Sequence, residues 1–261
     1  MSLKRQGSFP NVFPSRKRRV VKATGSRDDK DEDKETDLIE IPNDTKAALL
    51  FLKSLFPVQA FNGQVPPILL KHQLYCVVND KTTVDRQLNK MWETNEVRLF
   101  KLVTGSDEFA VMLTSDYISH LRSKMTNNTT NSAEKFIANV LPSCVDVSFS
   151  RKTLSENHSL TEEEITQLIN LGALAVRDVG SWWLSIPGAG HFMKSFSKGR
   201  KAVIRTIKNT KYKEMLQKEL ESRNLSTHSK LGVKYHIYDI IGAELVQRID
   251  TTSGPLLRLR S

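Results

Sequence analysis

Apolar positions in this chain begin to recur with a helical period only from Asn43 onward. Asn43 or Asp44 can cap a helix whose stripe is Ala48, Leu49, Leu52 and Phe56. Pro57 and the Asn62-Gly63 pair end it, and Pro66-Pro67 opens a second predicted helix through about Val78. Residues Asp80 to Thr83 offer caps for a third, with Leu88, Met91 and Trp92 along one side. Two β-like runs follow, EVRLFKLV and EFAVMLT, separated by Thr104-Gly105-Ser106-Asp107, which predicts a hairpin.

The same order recurs. Residues 132–142 predict a helix, and after a short segment Thr161 caps TEEEITQLIN, with Glu164 completing a capping box. Its stripe of Ile165, Leu168 and Ile169 repeats the i, i+3, i+4 set of Leu88, Met91 and Trp92. Asn95 and Gly172 occupy matching helix ends, where a left-handed residue is wanted. Beyond them Val97 and Leu99 match Leu174 and Val176, and ALAVRDVGSWWLSIP forms a second hairpin turning near Asp178-Val179-Gly180. A looser third copy predicts a helix over YHIYDIIGAELVQRI, a turn at Thr252-Ser253-Gly254-Pro255 and the strand LLRL. Three short helices and then a hairpin are the element order of a winged helix. The expected fold is therefore α+β, mainly α: a disordered tail over 1–42, then tandem winged-helix domains over 43–126, 127–196 and 197–261.

Charge changes this picture at both ends of the chain. The net +10 is uneven: residues 45–190 hold fourteen bases and fourteen acids, whereas 191–261 hold fifteen bases against six acids. Residues 1–27 carry eight bases and no acid, and 28–44 carry nine acids and two bases. Opposed charge blocks with few apolar residues cannot offset the entropy of ordering, hence the expected disorder. Within the tail, Arg16, Lys17, Arg18 and Arg19 fit a nuclear import signal. No apolar run approaches membrane-spanning length, and Cys76 and Cys144 sit alone in apolar runs as expected buried thiols. A soluble, intracellular protein with no membrane partner is expected.

The densest chemistry lies in HFMKSFSKGRKAVIRTIKNTKYK, residues 191–213, which holds eight bases and no acid. At about 100° per residue, Lys194, Lys198, Lys201, Arg205 and Lys208 fall on one face, and Phe192, Phe196, Val203 and Ile207 on the opposite one. Arg200 belongs to the run, Lys211 and Lys213 continue it, and His191 stands at its start. A solvated helix usually mixes acids among its bases, because like charges repel. A base-only face is the footprint of a polyanion, and its cations contact phosphate. By the docking logic of winged helices, Lys81, Arg86 and Lys90 of the first copy's third helix are further candidates. The second copy's third helix opens on Glu162, Glu163 and Glu164, which repel phosphate and point to a protein partner, or to DNA contact only through the basic helix that follows.

Catalytic patterns are missing. No G-x-x-x-x-G-K-[ST] loop, H-E-x-x-H, H-R-D or D-F-G occurs, so neither nucleotide chemistry nor a kinase is supported, and no cofactor or metal is expected. Pro187-Gly188-Ala189-Gly190 could hold a phosphate at a helix N-terminus but reads better as a tight turn. Trp182 and Trp183, adjacent in a strand, must point to opposite faces, one of them into the core.

The runs PPILLKHQLYCVV, DKTTVDRQL, KFIANVLPSC, VRDVGSWWLSIPGAG, KGRKAV, KYKEML, YDIIGAELV and TTSGPLLRL closely resemble the family historically labelled serine/threonine-protein kinase 19. The resemblance covers about residues 44–259. It implies three winged helices, nuclear location, double-stranded DNA binding and a part in transcription-coupled nucleotide excision repair. There the family bridges the stalled RNA polymerase II repair complex and TFIIH. By the same resemblance DNA lies along Lys194, Lys198, Arg200, Lys208 and Lys211, with Lys81 and Arg223. Two other readings stay open: a protein kinase of unusual design, and a protein-interaction module whose basic face docks an acidic partner. Whether the chain forms a homodimer is also open.

Overall fold

Ala48, Leu49 and Leu52 turn inward along α1 (Asp44–Ser54), which ends two residues short of Phe56. The computed structural model describes residues 44–102, 108–223 and 229–260. The tail over 1–42 with Arg16, Lys17, Arg18 and Arg19, and the turn at Thr104 to Asp107, lie outside the described residues. After α1 come β1 (Leu69–Leu70), α2 (Lys71–Val77), α3 (Lys81–Glu93), β2 (Val97–Lys101) and β3 (Phe109–Leu113). The helix expected to open at Pro66-Pro67 starts only at Lys71, because Leu69 and Leu70 pair with Val111 and Ala110. Two buried leucines carry no periodicity, so strand and helix look alike there. At α3, Asp80 caps as expected, accepting from Thr82 N at 2.9 Å.

The chain then forms α4 (Thr114–Lys124), which the pattern did not reveal because strand runs into helix with no Gly or Pro between them. One continuous helical stretch follows: α5 (Thr130–Lys135), a wider π-type segment over Phe136–Val140, and α6 (Leu141–Ser143). Next are β4 (Ser148–Ser150), a π-type turn over Lys152–Asn157, α7 (Glu162–Leu171), β5 (Leu174–Asp178) and β6 (Ser181–Leu184). The capping box forms as read: Thr161 Oγ1 accepts from Glu164 N at 3.2 Å, and Glu164 Oε2 from Thr161 N at 2.8 Å. Thr161→Ala is expected to cost about 1 kcal/mol in urea unfolding. The last elements are α8 (Ala189–Lys208), β7 (Glu214–Leu216), α9 (Gln217–Ser222), α10 (Gly232–Gly242), β8 (Val246–Thr251) and β9 (Gly254–Leu259). The third expected helix therefore stops at Gly242, and Val246 to Ile249 belong to a strand instead. The expected division at 196/197 falls within the continuous helix α8.

Among the described residues three three-stranded antiparallel sheets result, ordered β1-β3-β2, β4-β6-β5 and β7-β9-β8, with the last strand central each time. The helix before each hairpin ends identically. Glu96 N donates to Met91 O, Ala173 N to Leu168 O and Leu245 N to Ile240 O. Between them Asn95, Gly172 and Glu244 take φ of 60°, 84° and 57°. This is the Schellman end, which leaves the axis and delivers the chain into a strand. The third copy uses a glutamate there, which is why its helix end escaped the pattern. Val176 follows Leu99 in strand position but not in burial: Leu99 is inside and Val176 stands 68% exposed.

One core cluster runs from Phe56 through both first sheets to Phe192, Phe196 and Tyr235. A smaller one holds Val203, Ile207, Met215, Ile237, Ile240 and Leu257. α8 thus spans both, with aromatic residues at its start and aliphatic ones at its end. Each such side chain contributes roughly 1.5–3 kcal/mol by leaving water. Between the first two sheets, Arg98 is fully buried and donates to the carbonyls of Leu141 and Cys144 at the end of α6. Burial pulls its guanidinium down to about 10, and the carbonyl dipoles of a helix C-terminus are what keep such a cation tolerable. Both thiols are half-buried rather than fully inside. No helix among the described residues is long and apolar enough to cross a membrane.

Candidate nucleic-acid interface

Helix α8 starts where Gly188 turns at φ 81°, with its Cα so close to Gln64 that a Cβ would come within 2.6 Å of Gln64 O. The glycine cluster is therefore a tight turn that packs the helix start on the segment before β1. Phe192, Phe196, Val203 and Ile207 face inward as read, with the small Ser195 and Gly199 between them. A Cβ on Gly199 would overlap Ser229 and the His236 ring, so only glycine lets α10 approach this closely.

The opposite face carries Lys194, Lys198, Lys201, Arg205 and Lys208, all exposed. Among the described residues none of the five has a carboxylate partner. Several cations elsewhere are matched: Lys53 lies 2.5 Å from Asp116, Lys135 2.9 Å from Glu164, and Arg122 2.9 Å from Glu134. The α8 pairs at i,i+4, Lys194/Lys198 and Lys201/Arg205, repel by a few tenths of a kcal/mol each. Apolar burial on the other side holds the helix against that repulsion. A polyanion would relieve it. His191 is exposed beside this face.

Arg200 lies elsewhere. Its Nε and Nη2 grip the two Asp239 oxygens at 2.8 and 2.5 Å, Nη1 reaches Glu108 at 2.8 Å, and the guanidinium covers the Phe196 ring at 4.4 Å. Asp239 is buried and also meets His72 Nε2 of α2 at 2.8 Å. Burial opposes ionisation of Asp239, but the bonds from Arg200 and His72 outweigh it and hold the carboxyl well below its usual range. Burial likewise opposes charge on Arg200, and the bonds to Asp239 and Glu108 reverse the balance and raise it. Arg200 is thus spent on a lock between α8, α10, α2 and the strand entry at Glu108, not turned toward a phosphate. Sequence reasoning missed Asp239, although a lone acid inside YHIYDIIG was the available signal, since a charge on an apolar helix face must find a partner.

The remaining candidates are dispersed. Lys81, the first residue of α3, pairs with Glu244 at 2.5 Å, past the end of α10. Arg86 and Lys90 are exposed along α3. Arg223 pairs with Glu219 at 3.0 Å beyond α9. Lys211 and Lys213 are exposed in the turn after α8. The three helices preceding the hairpins differ sharply: α3 shows cations, α7 starts on Glu162, Glu163 and Glu164, and α10 is buried at Tyr235, His236, Ile237, Asp239 and Ile240. Buried α10 cannot enter a groove. It crosses α2 so tightly that a Cβ on Gly242 would overlap the His72 carbonyl. Gly242→Ala is expected to destabilise by about 3 kcal/mol in urea unfolding, since backbone must move to admit it.

Trp182 is buried and Trp183 is not, as their alternation requires. The Trp183 ring carries Arg177 at 4.4 Å and Lys101 at 5.7 Å, which caps the edge. Among the described residues no group of His, Cys, Asp or Glu is placed to hold a metal ion.

A family model described as inactive serine-threonine protein kinase 19 matches residues 40–259. A Homo sapiens protein named Winged helix repair factor 1 is 39% identical over 260 residues, 99% of each chain. The Mus musculus protein of that name is 41% identical over 215 residues, 82% of this chain and 85% of that one. The Xenopus laevis protein is 39% identical over 245 residues, 92% and 94% of the two chains.

Proposed function

This chain belongs to the inactive serine-threonine protein kinase 19 family, and from that premise we propose a non-enzymatic nuclear adaptor that grips duplex DNA during repair. The observation that carries the reading is the α8 face, with five exposed cations and no acid among them. Its contacts are cation to phosphate, so they position the protein without reading sequence. Lys211 and Lys213 extend the grip, and Lys81, Arg86 and Lys90 offer a second one on α3.

We take the architecture as three tandem winged helices, near 43–126, 127–196 and 197–261 but with the last division moved back to the start of α8 at Ala189. Support comes from the repeated sheet order and the identical helix ends at Asn95, Gly172 and Glu244. In this arrangement the long first helix of the third unit holds DNA, while that unit's third helix is used for packing. The second unit serves protein: its acidic α7 and the exposed Val176 and Val179 of its hairpin suit a partner rather than phosphate. The relatives' name, Winged helix repair factor 1, points to DNA repair. The proposed place is transcription-coupled nucleotide excision repair, between the stalled RNA polymerase II complex and TFIIH, with Arg16, Lys17, Arg18 and Arg19 directing import.

Fluorescence anisotropy on two duplexes of unrelated sequence tests the binding reading. Dissociation constants should agree within about threefold, because phosphate contacts are sequence-blind. A strong preference for one sequence, or no binding to either, would sink it.

A further inference from the structure

The turn that leaves α8 presents an aromatic ring to solvent. Tyr212 is 69% exposed, between the exposed Lys211 and Lys213, and four residues beyond Lys208, the last cation of the basic face. The Lys211 ammonium lies 5.2 Å from the centre of its ring.

The turn itself is fixed. Lys213 N donates to Thr210 O at 3.1 Å, and Glu214 N to Thr210 Oγ1 at 3.0 Å. Thr210 is tied back to α8, its N and Oγ1 donating to Ile207 O at 3.1 and 2.7 Å. Lys213 sits at φ 54°, a strained setting for a lysine, and its carbonyl accepts from Leu259 N at 3.0 Å in β9. The ring is therefore displayed by a braced backbone that loses little freedom on binding.

We propose that Tyr212 is a stacking platform for an unpaired nucleobase, so that the protein recognises the point where duplex gives way to single strand. This rests on the duplex-binding reading above and names its substrate more closely. Within a duplex the base faces cover one another, whereas unpaired bases offer a free face to an aromatic side chain. The flanking ammonium groups suit the phosphates on either side of such a base. The α8 face then holds the duplex, and the turn at its end meets the strand that leaves it.

The test compares three DNA probes with the full chain: a blunt duplex, the same duplex with a short thymidine overhang, and one whose overhang is abasic. The abasic arm adds the phosphates without the bases. Wild type should bind the thymidine overhang about tenfold more tightly than the abasic one. Tyr212→Ala should abolish that difference and leave blunt-duplex affinity unchanged, while Tyr212→Phe keeps it. Equal affinity of wild type for the two overhangs, or a preference that survives Tyr212→Ala, overturns the stacking role while blunt binding still upholds the duplex reading. Binding of the thymidine overhang without the blunt duplex supports stacking and overturns the duplex reading. Binding of no probe overturns both.

Discussion

Asp239→Ala is expected to lower the free energy of unfolding by about 3–5 kcal/mol, the largest loss from any single truncation considered above. The change strips two of the three carboxylate bonds from Arg200, whose side chain is only 19% exposed, and leaves it with Glu108 and the Phe196 ring. It also takes from His72 its partner at 2.8 Å. A buried charge without its partner is expensive, and a chain of this kind holds only about 5–15 kcal/mol in all. The measurement is urea unfolding followed by circular dichroism. A loss under about 1 kcal/mol, typical of an exposed pair, would show that the lock is not sealed from water. The pH dependence has a definite sign. The folded Asp239 carboxyl is held below its unfolded value, so its stabilisation is complete above about pH 4 and fades as the pH falls through the folded value. Wild type should therefore lose stability on acidification more steeply than Asp239→Ala. Arg200→Ala should behave as a folding variant too, with whatever DNA affinity it loses tracking the unfolded fraction.

Changing Lys194, Lys198, Lys201, Arg205 and Lys208 together to Glu should reduce duplex affinity by about a thousandfold or more near 0.1 M salt. All five side chains are exposed and touch no carboxylate among the described residues, so the fold does not depend on them. Unfolding free energy should change by less than about 1 kcal/mol, because one set of like charges replaces another. The contrast with Arg200 is what separates a surface grip from a structural cation in the same helix. A full-strength duplex complex from the reversed variant would remove α8 from the interface.

Much of this arrangement was legible in the chain, and the reasons are local. The α8 face follows from spacing alone: cations at 194, 198, 201, 205 and 208 share one side of any helix, whatever it packs against. The Thr161 capping box and the left-handed ends at Asn95 and Gly172 were legible because each is a short-range demand of the backbone. What failed was tertiary. Leu69 and Leu70 are a strand only because β3 pairs with them. Glu244 sits where a glycine would have signalled a helix end, so the third helix was read seven residues too far, to Ile249. Arg200 carries the same charge as its neighbours, and periodicity placed it off the basic face, but only the fold brings Asp239 and Glu108 to it. Arg98, in an alternating strand, gave no sign that it would be buried against helix carbonyls.

The salt dependence of duplex binding decides whether the α8 face holds phosphates. Plotted as log affinity against log salt, wild type should fall with a slope of about −4 or steeper, as at least five neutralised phosphates require. The variant with all five cations changed to Glu should lose most of that slope. A shallow slope for wild type, or the same steep slope in both proteins, would take the phosphates off α8 and leave the basic face to an acidic protein partner.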